Sequence, residues 1–575
     1  MAERKISENQ KLWLDRIHRA KKCHENWMSE FKVNLARAYY EGKQNDSSIP
    51  TNEFIANNKI FSQLQVVLPS LYSLDPYFYV RIKRSFDPNP EVYPIYKYRA
   101  DVRQAYLNYL KGELELGEKA KLCILDAFFA FGVMKITFNT EEQDNPNAGK
   151  PMTDEEGKEV FNSEGNPIIE PDVIPINEHY VLTRIRPDDF LFDEDASTLP
   201  DTWKWIAQRS CMTWEEARND KRYNTKVLDR LKPMLSNNVT SPGKQQDVFR
   251  PEEMPIDIWT IYNLKKGTFL VIVENGDDPL IKERSLPFGT DKHCFSILRF
   301  VQRDNSPYPI PIISQVVDPQ REFNMARSRI MTHRKRFNRK YEVWRAGLVD
   351  PDAEIAKLEV GSDGTCIMKN SPQRVVEPIQ DAHLDQLTYM EISLLNNDII
   401  EILGAPDQAR GVSSADSATE SAIMEKRLVL RESDRLSSVV KFLQTIACKL
   451  DQLVQAHISR DEMVRITGPD GDFMKLVRAQ DYEEINGEFE YEVNVTSLQP
   501  QLPGLERAQL LAFLQALGQY PFFLWDRDLL EEFAEKFGID NKRTVDALFK
   551  IGKMLMQQGG ASGGGGGSLP GVPTG

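Results

Sequence analysis

Tyr308-Pro309-Ile310-Pro311 opens the stretch whose reading decides the architecture, and Leu453 closes it. After that turn a strongly basic helix is expected, carrying Arg321, Arg327, Arg329, Arg334, Lys335, Arg336, Arg339 and Lys340 against Glu322 alone. A second helix, from Glu377 to Glu401, has the opposite bias: Asp381, Asp385, Glu391 and Asp398, with no Lys or Arg. The chain then breaks at Gly404-Ala405-Pro406. It re-enters helix at Ser413-Ser414-Ala415-Asp416-Ser417-Ala418-Thr419-Glu420 and continues for about ten turns. Two neighbouring helices of opposite charge suit a part repeated around a ring, where one subunit's basic helix meets the next subunit's acidic one. Arg327, Arg334 and Arg339 facing Asp385, Glu391 and Asp398 are the expected inter-subunit pairs.

That order of elements resembles the portal (head-to-tail connector) protein of tailed bacteriophages. Tyr-Pro-Ile-Pro followed by Asp318-Pro319-Gln320-Arg321-Glu322-Phe323-Asn324 is similar to the family's entry into its first stem helix. Ser417-Ala418-Thr419-Glu420 is similar to the segment after its tunnel loop. Arg186-Pro187-Asp188-Asp189-Phe190-Leu191-Phe192-Asp193, with Asp201-Thr202-Trp203-Lys204-Trp205 after it, resembles a stretch of its wing. The likeness is spread over about residues 30 to 460 and lies in the order and spacing of short motifs.

The resemblance implies a mainly helical α+β subunit of a homo-oligomeric ring, typically a 12-mer, at one capsid vertex of a virion assembled in the host cytoplasm. It implies a terminase large subunit, a tail adaptor and capsid or scaffold protein as partners, with double-stranded DNA passing through the channel during packaging and ejection. It divides the chain into a wing (1–303), stem helices (304–340 and 377–403), a clip (341–376) and a tunnel loop (404–416). A long spine helix (417–460), a C-terminal wing or crown region (461–558) and a Gly-rich tail (559–575) that cannot bury enough to fold complete it. Carried onto this chain, Arg410, Gly411, Ser413 and Ser414 fall in the loop that projects towards DNA. Val343, Trp344, Leu348 and Val349 form an apolar clip surface for docking.

Length and composition agree with a multi-unit structural protein. A chain of 575 residues exceeds what one core holds. No run of about eighteen apolar residues occurs, so no membrane span is expected. Met1 to Ile6 has no apolar h-region, so no secretory signal is expected. The six cysteines are scattered without a close pair, which reads as reduced thiols in a cytoplasm rather than a disulfide frame or zinc site. A net charge of −14 opposes tight wrapping of duplex DNA but suits a channel that DNA passes without sticking.

No enzyme signature is present. Gly42-Lys43, Gly149-Lys150 and Gly243-Lys244 are each followed by Gln or Pro rather than Ser or Thr, so there is no P-loop and any motor is another polypeptide. His24-Glu25 lacks the second histidine of a zincin helix, and Gly411-Val412-Ser413-Ser414-Ala415 lacks the second glycine of a nucleophile elbow. Neither a cofactor nor a catalytic residue is expected. The acidic cluster Asp188, Asp189, Asp193, Glu194 and Asp195 does not have EF-hand spacing and reads as a solvated turn. The histidines read as structural. Two other classes stay open on sequence alone: a cytoplasmic enzyme of unknown chemistry, and a non-portal capsid or scaffold protein. For the basic helix, contact with DNA phosphate is the alternative to inter-subunit pairing.

Periodicity places helices over 8–42, 57–74, 93–110 and 118–131, a sheet region from Val133, and a polar insertion from Asn139 to Glu170. Tyr180 to Arg186 returns as a strand. Ile256 to Asn263 and Thr268 to Glu274 read as a hairpin around Leu264-Lys265-Lys266-Gly267, with one more strand from Phe295 to Gln302. In the long helix, Leu436, Val439, Leu443, Ile446, Leu450 and Leu453 step by alternating threes and fours. That is a narrow seam of coiled-coil type, expected to bury against one partner.

Overall fold

The computed structural model describes residues 6–45, 53–73, 76–85, 93–144, 173–237, 254–287, 292–337, 341–360, 366–379, 386–403, 418–457, 462–468, 471–477 and 487–493, with Gly289 and isolated positions between 513 and 550. The chain begins with helices α1 (Glu8–Glu30), α2 (Val33–Tyr40) and α3 (Lys59–Leu71), then strand β1 (Phe78–Ser85). Helices α4 (Tyr93–Glu113) and α5 (Leu116–Phe129) lead into β2 (Gly132–Asp144), β3 (Val173–Ile185), β4 (Phe190–Phe192) and β5 (Trp205–Thr213). Next come α6 (Trp214–Asn219), α7 (Thr225–Asn237), β6 (Pro255–Asn263), β7 (Thr268–Val273), β8 (Ile281–Ser285) and β9 (Phe295–Leu298). The expected stem and clip comprise α8 (Val317–Phe337), β10 (Tyr341–Val343), α9 (Pro351–Val360), β11 (Val376–Pro378) and α10 (Gln386–Leu403). Helix α11 (Ala418–His457) and strands β12 (Glu462–Gly468), β13 (Gly471–Val477) and β14 (Gly487–Val493) follow. The class is α+β.

The single helix expected over 8–42 is two. Lys32 adopts the left-handed conformation (φ 49°) between α1 and α2, so the chain turns there. Nothing in a lysine signals this. Gly42, at φ 86°, ends α2 as expected, because only glycine adopts that backbone without strain. In α1 the buried positions Gln10, Trp13, Ile17, Ala20, His24 and Trp27 step by threes and fours, and this seam lies on a five-stranded antiparallel sheet ordered β4-β5-β6-β7-β8. On that face Trp13 and Ile17 meet Trp205, Trp259, Ile261, Leu270 and Ile272. The other face, through Ile258 and Val271, is covered by Trp214 of α6 and Leu228 and Leu231 of α7. A sheet covered on both sides explains why Ile256 to Tyr262 reads as almost continuously apolar. The β6–β7 hairpin closes with Asn263 opposite Thr268, where the sequence put the turn.

The other main sheet, β3-β2-β9, carries the largest core. β2 and β3 pair from Val133↔Ile185 out to Asp144↔Val173, so the insertion is a strand extension at both ends, and 145–172 lie outside the described residues. Gly132 is required where it stands: a Cβ there would sit 2.3 Å from the Cys123 carbonyl oxygen on α5. Every expected seam residue of α11 is buried, from Leu436 at 9% exposure to Val439, Leu443 and Ile446 at 0%. The seam is not narrow, however. Phe442, Ala447 and Val454 are buried beside it, and α11 packs against α3, α4, β2, β9 and β14 together. This part of the helix is the centre of a broad core, not one strand of a coiled coil. Part of the expected C-terminal region belongs to the N-terminal body: β14 pairs antiparallel with β1, Phe78 opposite Val493.

A polar seam joins α8 to the segment before α3. Backbone N–H groups of Ile55, Asn57 and Lys59 donate to Ser328 Oγ (2.9 Å), Asn324 Oδ1 (3.1 Å) and Gln320 Oε1 (3.0 Å). Gln320 Nε2 returns a bond to the Asn57 carbonyl (2.8 Å), and Asn324 Nδ2 donates to Gln44 (2.6 Å). The three α8 side chains are essentially buried. The register holds because four residues of helix rise about 6.0 Å and two of extended chain about 6.6 Å.

Candidate functional site

Three faces divide α8. Phe323, Ala326 and Ile330 enter the core; Gln320, Asn324 and Ser328 form the polar seam; Arg327, Arg329 and Arg334 point to solvent. The polar seam was not anticipated. Its signal is present, since uncharged hydrogen-bonding residues recur every fourth position, but the surrounding arginines dominate the reading. The basic helix is described to Phe337; Arg339 lies outside the described residues, and Arg345 sits in a turn after β10, paired with Asp352.

Helix α10 packs along α8 and buries Leu395, Ile399 and Leu403. Its other side is also apolar: Leu387, Met390 and Leu394 step by three and four and are 66%, 63% and 63% exposed. Glu391 and Asp398 are exposed beside this stripe. Although α8 and α10 are neighbours in one chain, none of Arg327, Arg334, Glu391 or Asp398 forms an ion pair among the described residues. Asp385 lies outside the described residues, as do Asp381 and the whole tunnel loop, including Arg410, Gly411, Ser413 and Ser414. Glu377 belongs to β11, so the acidic helix starts later than its composition suggests.

The clip forms around a β10–β11 pair, with Val343 opposite Val376. Trp344 and Val349 are 50% and 52% exposed, and Val343 is half-buried. Leu348 is different: at 3% exposure it is buried in the clip, as Val375 is, and its own carbonyl accepts from Asn370 Nδ2. It is therefore a folding residue of the clip, not part of a docking surface. Gly347 makes room for this packing, because a Cβ would lie 2.8 Å from both the Trp344 ring and Val375.

The acidic cluster is an ion-pair network rather than a solvated turn. Asp188 meets Arg37 at 2.7 Å, Asp189 meets Arg209 at 2.6 Å, and Glu194 meets Arg19 at 3.1 Å. Lys204 Nζ donates to Asp195. Asp193, 3% exposed, accepts from the Lys204 backbone N–H. Among the described residues no group of three His, Cys, Asp or Glu could hold a metal ion.

Two polar centres lie deeper. Arg103 on α4 and Asp451 on α11 form an ion pair at 2% and 1% side-chain exposure. Tyr491 Oη of β14 donates to the same carboxylate oxygen at 2.7 Å, and the Arg103 guanidinium lies 4.5 Å over the Phe489 ring. Burial pushes the Asp451 carboxyl up, against the opposing pull of Arg103 and Tyr491. The second centre is histidine. Burial lowers His24, in tilted contact with the Trp27 and Tyr308 rings, to about 4; burial and the Lys449 ammonium lower His293 to about 3. Between pH 6.5 and 4 the unfolded chain therefore binds protons that the folded chain refuses. Stability rises with pH across this window and is lost on acidification. The expected result is a falling unfolding midpoint from pH 6.5 to 4.5, with up to about 3 kcal/mol attributable to His24. His24→Gln and His293→Gln together should flatten that slope; an unchanged slope would place the acid sensitivity elsewhere.

No protein-family model matches the sequence, and no curated protein matches it. Among solved structures the chain is similar to one from the virion of a native gene transfer agent (GTA) particle. The identity is 11%, the match covers 84% of this chain and 89% of that one, and the TM-score is 0.36.

Proposed function

We propose that this chain is a portal subunit: a homo-oligomeric ring at one vertex of a virion, through which the genome is packaged, retained and released. One observation supports the reading most strongly. Two adjacent helices expose complementary surfaces, cations on α8 and carboxylates with an apolar stripe on α10, and among the described residues Arg327, Arg334, Glu391 and Asp398 form no ion pair. A face that is both charge-complementary and apolar is suited to a copy of itself displaced around an axis, and such head-to-tail contacts form a ring where the rotation between copies closes. The resemblance carried by the order of motifs from Tyr308 to Thr419 supports reading that ring as a portal. In this reading terminase and the tail adaptor dock at the clip through Trp344 and Val349, and DNA passes a loop between α10 and α11 that carries Arg410. The chain acts mechanically and is not an enzyme.

Purified full-length protein should form particles with a central hole in negative stain and a mass of many subunits. A monodisperse monomer at micromolar concentration would remove the reading. Within the ring, Arg334→Glu should weaken assembly and Asp398→Arg should partly restore it. Each exposed pair contributes only about 0.2–1 kcal/mol, but a ring repeats the contact in every subunit. A double reversal no better than either single one would assign these arginines to DNA phosphate instead.

A further inference from the structure

Between α8 and α10 the clip runs out and back as Tyr341 to Ile379, described over 341–360 and 366–379. Its backbone closes on itself: Trp344 N–H donates to the Val375 carbonyl (2.8 Å), Val349 N–H to that of Met368 (3.3 Å) and Asn370 N–H to that of Gly347 (2.9 Å). Its side chains do not close in the same way. Among the described residues Leu348 and Val375, at 3% and 5% exposure, are the only apolar side chains buried in the clip, and neither joins one of the larger cores. Beyond Trp344 and Val349, three more large apolar side chains stand in solvent: Val360 at 76%, Met368 at 63% and Ile379 at 47%. The rest of the chain does not cover them. Among the described residues no helix or strand of the clip packs against an element outside it beyond isolated contacts.

Two buried side chains are too few to hold such a segment. Backbone entropy is lost at every ordered residue, whereas apolar burial here is gained at two. Units below about 40 residues usually need a disulfide, a metal or a partner chain. Cys366 is the clip's single cysteine, so an internal disulfide is excluded. Among the described residues no cluster could hold a metal ion. A partner chain remains, and it must be a permanent one. A terminase or adaptor that docks and leaves needs the clip already shaped, and the chain present at all times in a ring is another copy of this one.

We infer that the clip folds only on assembly: the next copy in the ring covers Val360, Met368 and Ile379, and a separated subunit carries this segment unfolded. The inference rests on the ring reading above. Amide hydrogen exchange of the full-length chain tests it at Trp344, Val349 and Asn370, whose N–H groups make the three closing bonds. In rings these amides should exchange at least about a hundredfold more slowly than in subunits separated by Met390→Asp with Leu394→Asp, while Ile261 in β6 stays protected in both. Val360→Asp with Met368→Asp tests the contact inside the ring itself. Both side chains are exposed in the single chain, so its own fold loses little. In rings of this variant the three amides should exchange at least about tenfold faster than in wild type. Three results would overturn the inference while leaving the ring standing: equal protection in ring and separated subunit, a Val360→Asp, Met368→Asp ring that exchanges like wild type, or unprotected clip amides in wild-type rings, which would leave these side chains to a different protein. A wild-type chain that is monomeric by mass would instead remove the ring reading, and this inference with it.

Discussion

Arg103→Met should destabilise the folded chain by about 3–5 kcal/mol, the cost of leaving one member of a buried ion pair without the other. The whole stability of a domain is of the order of 5–15 kcal/mol, so the variant should unfold many degrees earlier. The reason is geometric. Asp451 sits at 1% exposure in the most buried stretch of α11, where water cannot replace the guanidinium, and among the described residues Tyr491 alone would remain as its donor. The variant should also loosen the β1–β14 pair, because Arg103 covers Phe489 and shares Asp451 with Tyr491. Hydrogen exchange at Ile82 and Tyr491 would read this directly. Replacing both partners, Arg103→Met with Asp451→Leu, should recover most of the loss, since apolar packing at such sites is often as stable as the pair. If the double variant loses the sum of the two single losses, the residues do not act as a unit.

If the chain forms the proposed ring, Met390→Asp with Leu394→Asp should convert that ring into single subunits without unfolding them. Both side chains are 63% exposed in the chain alone, so its fold gains little from them. At a subunit contact each buried Met or Leu would contribute about 1.5–3 kcal/mol, and a carboxylate in its place would add a desolvation cost. The combined loss exceeds 3 kcal/mol per contact, about a hundredfold or more in affinity. Sedimentation would show the dissociation, and circular dichroism of the dissociated chain should match wild type. Trp344→Asp in the clip serves as the contrast: exposed apolar to acidic again, but with rings retained. Intact rings in the α10 variant would mean that this stripe faces something other than a copy of the chain.

What the sequence conveyed followed from which interactions are local. The α11 seam was legible because its residues repeat along one helix, and the β6–β7 turn because Gly267 stands at φ 64° where the hairpin reverses. The break at Lys32 was not, since a left-handed lysine leaves no compositional trace. Nor was β1, whose partner strand lies at Gly487 to Val493, far along the chain. The charge bias of α8 and α10 was readable because charges stay in water whatever packs behind them. The exposed stripe of α10 was not, because that helix is apolar on two sides and periodicity cannot say which is covered. Leu348 looked like its exposed neighbours Trp344 and Val349; only the fold of the clip sends it inward.

The seam between α8 and the segment at residues 55 to 59 behaves like a rack with identical teeth. Each rung is a side-chain oxygen accepting a backbone N–H group, so these three bonds by themselves do not tell one turn of the helix from the next. Slid by one turn, Ser328 would take the place of Asn324 and Asn324 that of Gln320, and each would still offer an oxygen to a backbone N–H, although Ser328 could not replace the amide bond from Asn324 to Gln44. What forbids the slip is the adjoining side of the same helix: Arg327 would arrive where Phe323 now sits in the core, and Arg334 where Ile330 does. The rung oxygens therefore set the spacing, while the three apolar residues carry most of the address at which α8 stops and the amides of Gln320 and Asn324 add the rest.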